Sequence, residues 1–239
     1  MTGSIWRQAT VLATCSVLAA AALPVVVQAR DGIPVDPKLS VKPPAGAIIL
    51  FDGKPEQMRD NWYARPGTKP AGWTVDDKGV ATPDHRDVSS KQEFGDCYLH
   101  VEFCEPPSGG GNSGVGMEGR YEVQIFNSYG NQRPGAGDCG AFYGQTPPKV
   151  NACKPAGQWQ TLDIFFRAPR FDEKGKAVEN ARATVYQNGI LIHKDQAFKG
   201  PTGIQHGDFK GEAPKGPVVL QGDHDTVQFR NVWIVPASY

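Results

Sequence analysis

The chain lacks a net charge, because 25 lysines and arginines are matched by 25 aspartates and glutamates among its 239 residues. Proteins that bind nucleic acid or an anionic membrane through surface charge carry a basic excess or a clustered basic patch. The balance gives no electrostatic reason to expect either partner. We therefore expect no nucleic-acid partner.

Long apolar runs are also absent beyond the first 29 residues. Residues 9–27 are almost wholly apolar, Arg7 precedes them, and Val27-Gln28-Ala29 fits a small-x-small cleavage site. This pattern predicts a signal peptide over residues 1–29. We expect an exported protein, periplasmic or secreted, without an integral membrane domain.

Two other interpretations of the N-terminal run are weaker. An uncleaved anchor would need a continuous apolar span, whereas this run is rich in alanine and interrupted by Pro24. Lipid attachment at Cys15 would need a lipobox, which the preceding Leu12-Ala13-Thr14 resembles only loosely. Lipoprotein anchoring is therefore not expected.

The sequence shows no helical period longer than about two turns, although the mean helix has about 11–12 residues. Its 28 glycines and 20 prolines are spread as turn punctuation. After a Pro-rich linker at 30–46, alternating short segments predict an all-β domain over 47–239, a jelly-roll sandwich of two antiparallel sheets. The predicted strands are 47–51, a hairpin at 73–82, 98–103, 121–127, 160–167, a hairpin at 183–193 around Asn188-Gly189, 218–220 and 227–235.

Four cysteines remain after the predicted cleavage, and no Cys-x-x-Cys or His-rich spacing indicates zinc. Cys97 and Cys104 occupy the two ends of one predicted strand, about 23 Å apart, so they cannot pair with each other. Cys139 and Cys153 flank a loop of suitable length. We predict a disulfide between these two.

The most informative segment is the strand at 121–127. Its apolar residues point to one side, and Glu122 and Gln124 point to the other. An acid and an amide two residues apart suit a polar cleft that binds hydroxyl groups. The preceding glycine-rich segment, 109–114, is predicted to be a loop that lets backbone approach a ligand closely.

Several segments, taken in order, resemble one family. They are ILFDG at 49–53 with Trp62, GNSGV at 111–115, GRYEVQI at 119–125, GAFYGQ at 140–145, GQWQ at 157–160, Asn188-Gly189, and LQGDH at 220–224 followed by FRN at 229–231. Their order and spacing are similar to those of the 3-keto-disaccharide hydrolase family. The resemblance implies a concanavalin A-like jelly roll similar to laminarinases. It also implies a carbohydrate substrate and cleavage of glycosides that carry a ketone at C3.

Ordinary retaining hydrolysis is disfavoured by the residue types on this strand. Laminarinase-type enzymes place two carboxylates on one strand as Glu-x-Asp-x-x-Glu, and double displacement needs both. Here the pattern is Glu122-x-Gln124-x-x-Asn127, with a single carboxylate. An amide cannot protonate a leaving group.

A 3-keto sugar requires less of the protein. The ketone acidifies the proton at C2, so one base can remove it, and the enolate then expels the group at C1 before water adds. Glu122 is our first candidate for this base and His224 the second. Arg120 could stabilise negative charge on the substrate, although beside Glu122 it would lower the basicity of that carboxylate. A divalent metal is a further possibility, with Glu122, Asp223 and His224 as ligands.

The remaining candidates would bind the sugar. Polar contacts are expected from the side chains Asn112, Gln124, Gln145 and Asp223, and stacking from the rings Tyr129, Tyr143 and Trp159. Each has a plainer alternative, since Glu122 could pair with Arg120 on a solvated face and aromatic rings usually belong to the core. The same cleft would also serve a carbohydrate-binding module without catalysis, which remains the alternative function.

Overall fold

The computed structural model describes residues 42–205 and 209–237, together with Met1 and two short paired strands, Val27–Gln28 and Pro34–Val35. Most of the predicted signal peptide and linker therefore lies outside the described residues, as does the region around Cys15. In the part of the chain that is described, no helix is both long and apolar enough to cross a membrane.

The described elements are almost all strands, in agreement with the predicted all-β class. They are β1 (Val27–Gln28), β2 (Pro34–Val35), β3 (Ile48–Phe51), α1 (Pro55–Asn61), β4 (Trp62–Ala64), β5 (Lys69–Pro70), β6 (Thr74–Val75), β7 (Ala81–Thr82), β8 (Val88–Phe94), β9 (Cys97–Cys104), β10 (Ser113–Met117), β11 (Tyr121–Ile125), β12 (Gln160–Arg167), β13 (Arg170–Phe171), β14 (Ala177–Glu179), β15 (Arg182–Gln187), β16 (Ile190–Ala197), a 3-10 turn (Gly203–Gln205), β17 (Gly216–Leu220) and β18 (Gln228–Pro236). The seven-residue α1 begins at Pro55, where proline is tolerated because the first helical N–H has no partner in the helix.

The strands form the predicted sandwich of two antiparallel sheets. The larger sheet has the order β16-β15-β12-β9-β18-β7-β6, with β3 added against β18, and the smaller sheet has the order β11-β10-β17-β8-β4-β5. The hairpin β15–β16 turns at Asn188 and Gly189, whose φ angles of 52° and 76° suit the turn that this pair favours. The jelly-roll prediction is confirmed.

Side chains along each strand point alternately to the two faces of its sheet, and the apolar ones that point inward form the core between the sheets. Leu99, Val101 and Phe103 of β9 face inward from the larger sheet, and Val123 and Ile125 of β11 face them from the smaller one. All five are fully buried, and burying such a side chain contributes about 1.5–3 kcal/mol. The residues between them on each strand are therefore turned to the outer faces, which is where the polar side chains lie.

Four strands of the smaller sheet are absent from the sequence-based prediction: the short β4 and β5 and the longer β10 and β8. β10 reads Ser-Gly-Val-Gly-Met, and its glycines led us to predict a loop through residue 114. In the structure β10 pairs with β11 so that Gly114 lies opposite Gln124 and Gly116 opposite Glu122. The other longer strand, β8, carries too many polar residues to show a clear apolar face. β10 thus provides a side-chain-free strip beside the two polar residues of β11.

Candidate active site

Glu122 lies on the outer face of the smaller sheet, and only 3% of its surface is exposed. Its carboxylate lies over Gly114 of the neighbouring strand. A Cβ atom placed on Gly114 would be 2.4 Å from Glu122 Oε1, far inside contact distance. The glycine is therefore required for this position of the carboxylate, which explains why a glycine-rich segment forms the strand beside β11.

Gln124 lies in the same row and connects Glu122 to Asn112. In the amide orientation that satisfies its neighbours, its nitrogen donates to Glu122 Oε1 at 3.0 Å and to the Ser113 carbonyl at 2.9 Å. The other end of the amide is 3.2 Å from the Asn112 side chain. The structure therefore brings together Asn112, Gln124 and Glu122, as predicted from the strand pattern.

Two further carboxylates act on Glu122. Burial and, to a smaller extent, the negative charges of Asp87 and Asp223 together raise the pKa of Glu122 to about 8. The ionised form of Glu122 is thus a stronger base than an exposed glutamate, because accepting a proton relieves the repulsion. Asp223 was predicted to belong to the site, whereas Asp87 was not.

Asp87 is held by the loop that carries Asp223. Its Oδ1 accepts from the backbone N–H of Gly222 at 2.9 Å and of Asp223 at 3.3 Å, and its Oδ2 is 3.8 Å from Arg65 Nη1. Asp87 precedes β8 and shows no local pattern that marks a site. Its role depends on contacts more than 130 residues away in sequence, which local patterns do not reveal.

The 222–225 loop places the other predicted catalytic residue at the edge of the site. His224 Nε2 is 3.6 Å from Asp223 Oδ1, and both side chains are partly exposed. Asp225 fastens the loop to the glycine-rich segment, because its Oδ2 accepts from the backbone N–H of Asn112 at 2.7 Å. His224 is therefore next to Asp223, on a partly exposed part of the loop.

Arg120 does not pair with Glu122 in the described part of the chain. It belongs to the β10–β11 turn, where its guanidinium donates to the carbonyls of Glu118 at 2.7 Å and Gly211 at 2.9 Å, with Phe209 against it at 5.3 Å. The turn ends the alternation before it reaches Arg120, so the shared face considered from sequence does not extend that far.

Gln145 contacts protein backbone in this structure. Its amide nitrogen donates to the Gly200 carbonyl at 2.9 Å, and its oxygen accepts from the Lys199 N–H at 2.7 Å. These bonds hold the segment before Thr202. Thr202 in turn accepts from the N–H of Glu122 at 3.1 Å and donates to the carbonyl of Arg120 at 3.1 Å. Gln145 thus supports the strand that carries Glu122.

The three predicted stacking rings are dispersed. Tyr143 is 42% exposed and lies beside the Glu122 strand, since its N–H donates to the Glu122 carbonyl at 3.3 Å. Tyr129 is 60% exposed in the loop after β11. Trp159 directly precedes β12 of the other sheet and lies under the guanidinium of Arg230 at 4.0 Å. Of the three, Tyr143 is the ring that the backbone connects to the site.

The proposed metal ligands and the predicted disulfide also have definite positions. In the described ranges, Glu122, Asp223 and His224 do not bring their ligand atoms within 4.8 Å of one another, whereas Glu105, Cys139 and Cys153 do. Cys139 and Cys153 are thus close together, and both are free thiols in this structure, so the disulfide between them stays a prediction.

A second polar cluster lies on the outer face of the larger sheet. His100 Nδ1 is 2.7 Å from Asp163 Oδ1, which also accepts from the Tyr98 hydroxyl at 2.7 Å, and Glu102 accepts from Arg230 Nε at 2.6 Å. Burial lowers the pKa of His100, but the bonds to Asp163 and Glu102 outweigh it and raise the pKa to about 9. The sequence does not predict this cluster, because most partners of His100 come from other strands.

A cavity of about 280 Å³ opens against this second cluster, lined by Lys42, Pro43, Asp52, Lys78, Gly79, Glu102, Arg230 and Asn231. It lies on the opposite sheet from Glu122. The carboxylates of the cluster are paired with cationic side chains. Burial would raise the pKa of Glu102, but its hydrogen bonds to His100, Asn231 and Arg230 lower the pKa to about 2. Such pairing is typical of a structural network, so we take the Glu122 cleft as the candidate active site.

A jelly-roll sandwich whose smaller sheet bears a buried carboxylate among amides defines a carbohydrate-active protein of the glycosyl hydrolase-like class. The chain belongs to the family of 3-keto-alpha-glucoside-1,2-lyase-like domains, whose model matches residues 46–235. This confirms the family resemblance seen in the sequence.

Solved structures agree with the family. A candidate glycosyl hydrolase from Parabacteroides distasonis ATCC 8503 is 34% identical, with 81% of this chain and 84% of that chain covered and a TM-score of 0.70. Another from the same bacterium is 16% identical, covers 81% of this chain and 95% of that chain, and has a TM-score of 0.59, which supports the fold. No curated protein matches the chain.

Proposed function

We propose that the protein cleaves 3-keto-glycosides by elimination followed by hydration, with Glu122 as the base that removes the proton at C2. The observation that carries the proposal is the buried Glu122 carboxylate, which lies over Gly114 beside the Gln124 amide in a chain belonging to a 3-keto-alpha-glucoside-1,2-lyase-like family. Burial and the nearby carboxylates raise the pKa of Glu122 to about 8. A general base works best when its pKa lies near the operating pH, and this carboxylate meets that condition.

The steps balance without a cofactor. Glu122 takes the C2 proton, the electron pair forms the C1–C2 double bond through the enolate, and the C1–O bond breaks to release the leaving group. His224, partly exposed beside Asp223, donates the proton that the departing oxygen requires. Water then adds across the double bond to give the free 3-keto sugar.

The amide row positions the sugar. Asn112 and Gln124 present both donors and acceptors, which suits hydroxyl groups that do the same. Tyr143 lies at the rim with an exposed ring, the kind of surface on which a sugar ring packs. Since Gln124 also donates to Glu122, binding and proton abstraction share one hydrogen-bonded row.

A second candidate is ordinary glycoside hydrolysis. The strand alone offers one carboxylate, but the fold adds Asp87 and Asp223 close enough to raise the Glu122 pKa. A second acid is therefore missing from β11 but not from the whole site. A neutral Glu122 could serve as the acid of a hydrolase in which Asp223 is the partner.

One experiment separates these functions. Purified protein is offered a 3-keto-glucoside and its unoxidised parent, and product is followed by chromatography. We expect turnover of the keto substrate alone, and Glu122→Gln should lower kcat by about 10²–10⁴-fold. Asp77→Asn, in the exposed β6–β7 turn, serves as the control.

Other outcomes would contradict the proposal. Equal turnover of both sugars would favour ordinary hydrolysis. Binding of either sugar in calorimetry, without product from either, would favour the carbohydrate-binding module. Full activity of Glu122→Gln would remove this residue as the base while leaving the reaction class open.

We further propose that the protein is exported, on the basis of the N-terminal sequence. The intact mass of the protein recovered from the periplasm or medium of an expressing bacterium should correspond to a chain that begins at Arg30. Recovery of the full-length chain from the cytoplasm alone would contradict this.

A further inference from the structure

Three ligand-bearing side chains from distant parts of the chain meet inside the molecule, away from Glu122. Glu105 follows β9, Cys139 lies in the long connection after β11, and Cys153 precedes β12. Their carboxylate oxygen and two sulfur atoms all lie within 4.8 Å of one another. Glu105 and Cys139 are buried, and Cys153 is partly exposed, which leaves a way in from solvent.

The carboxylate in this group is incompletely satisfied. Glu105 Oε2 accepts from Gln160 Nε2 at 2.9 Å, but Oε1 has no hydrogen-bond partner within the described ranges. Burying a carboxyl oxygen without a hydrogen-bond partner costs free energy. A ligand bound to Glu105 Oε1 would remove that cost.

The two sulfur atoms share one amide side chain as a neighbour. Gln187 Nε2 is 3.3 Å from Cys139 Sγ and 3.3 Å from Cys153 Sγ. Its own Oε1 has no hydrogen-bond partner among the described residues. The pocket thus holds one carboxyl group, two thiols and an amide oxygen, and neither Glu105 Oε1 nor Gln187 Oε1 has a hydrogen-bond partner among the described residues.

A disulfide accounts for only part of this arrangement. Joining Cys139 to Cys153 would satisfy the sulfurs but leave Glu105 Oε1 buried and unpaired. A divalent cation would satisfy the carboxylate and both sulfurs together. Thiolate sulfur selects zinc among the common divalent ions. A tetrahedral zinc with bonds of about 2.3 Å holds two sulfurs about 3.8 Å apart, which is within the 4.8 Å that contains all three ligand atoms here.

We propose that Glu105, Cys139 and Cys153 form a structural zinc site, with the Gln187 amide oxygen as the fourth ligand after rotation of its amide. Binding displaces the two thiol protons to solvent, together with the carboxyl proton where Glu105 is protonated. The ion would fasten the connection that follows β11 to the ends of β9 and β12. This site is independent of the reaction at Glu122.

The test uses the full chain, purified under reducing conditions without chelator. Zinc content is measured by plasma mass spectrometry, and cobalt is substituted to reveal thiolate-to-metal charge transfer in the absorption spectrum. We expect about one zinc per chain and a cobalt spectrum with thiolate bands. Cys139→Ser and Cys153→Ser should lose both.

The matched control is Cys104→Ser, because Cys104 directly precedes Glu105 and its sulfur points to the Glu105 carbonyl. It should bind zinc as the wild type does. If the ligand cysteine variants fail to fold, Glu105→Gln, which is nearly isosteric, carries the test and should weaken zinc binding at least about tenfold. Chelator should lower the Tm of the wild type, since an ion bound only by the folded state stabilises it.

Three results would overturn the proposal. They are a folded, reduced wild type that takes up no zinc, an equal zinc content in the wild type and the Cys139→Ser variant, and a Cys139–Cys153 disulfide in the isolated protein whose reduction allows no zinc to bind. Peptide mapping by mass spectrometry identifies the last of these.

Discussion

Glu122 derives its chemistry from two residues that lie far from it in the sequence. The side chain is buried over Gly114, and the charges of Asp87 and Asp223 act on it in addition to burial. Each of these neighbours can be changed separately. Single substitutions of these residues therefore test the proposed reaction most directly.

The first prediction concerns the pH dependence of the reaction. If ionised Glu122 is the base, kcat/KM on a 3-keto-glucoside should rise with pH through about 8, the pKa of this group. Asp223→Asn removes one negative charge that raises this pKa, so the rise should move to lower pH. Rates measured from pH 5 to 10 check this, and an unchanged profile in Asp223→Asn would contradict it.

The second prediction concerns Gly114, over which the Glu122 carboxylate lies. Gly114→Ala introduces a Cβ that would lie 2.4 Å from Glu122 Oε1 and must displace the carboxylate. A displacement of about 1 Å in a reacting group costs about 10²-fold in rate. We expect kcat to fall by this amount while circular dichroism remains that of the folded protein. Gly137→Ala is the control, because a Cβ there meets nothing within 4 Å.

At the scale of elements, charged side chains on the outer face of the larger sheet connect neighbouring strands. β9 supplies His100 and Glu102, β12 supplies Asp163, and β18 supplies Arg230. The ring of Trp233 stacks on His100 with centroids 4.9 Å apart. These contacts connect the three central strands on the side away from the core.

The third prediction follows from this network. Asp163→Asn removes the closest negative charge from the buried His100, so the stabilising ion pair is lost and the free energy of unfolding at pH 7 should fall by about 3–5 kcal/mol. The loss should shrink above pH 9, where His100 is neutral. Urea unfolding at pH 7 and pH 10 measures both, with exposed Asp77→Asn as the control; an equal loss at the two pH values would contradict the charge-based explanation.

The elements that the sequence predicts well are those with regular alternation. β12 begins and ends where predicted, and β9 extends the predicted strand by one residue at each end. β10 was missed because glycine has low strand propensity, and only pairing with β11 explains its presence. Glu122 and Gln124 were found from their own strand, whereas Asp87 was not, because the contact depends on how distant strands pair.

At the scale of the whole molecule, buried groups with raised pKa values make the stability depend on pH. Burial raises the pKa values of both Glu118 and Glu122 to about 8. In the unfolded chain these groups ionise near 4.5, so the folded state binds more protons between these values and loses stability as pH rises. His100, with its folded pKa of about 9, adds stability that is present below 6.5 and lost as pH rises through 9.

The fourth prediction is therefore a Tm that falls as pH increases from about 5.5 to 9. Calorimetry across this range checks it. Glu122→Gln should raise the Tm at pH 8 and flatten the curve, because it removes one of the buried acids. A Tm that rises over the range, or a Glu122→Gln variant that is less stable than the wild type at pH 8, would contradict this account.

The turn between β10 and β11 has a consequence for engineering the specificity of this scaffold. Met117 and Arg120 close it through a backbone bond of 2.9 Å, and it fixes which glycine lies opposite which polar residue. One inserted residue would slip the register and turn the apolar side of β11 toward the cleft. A library intended to change the sugar accepted should therefore keep the length of this turn constant and vary the loops at 109–112 and 222–225.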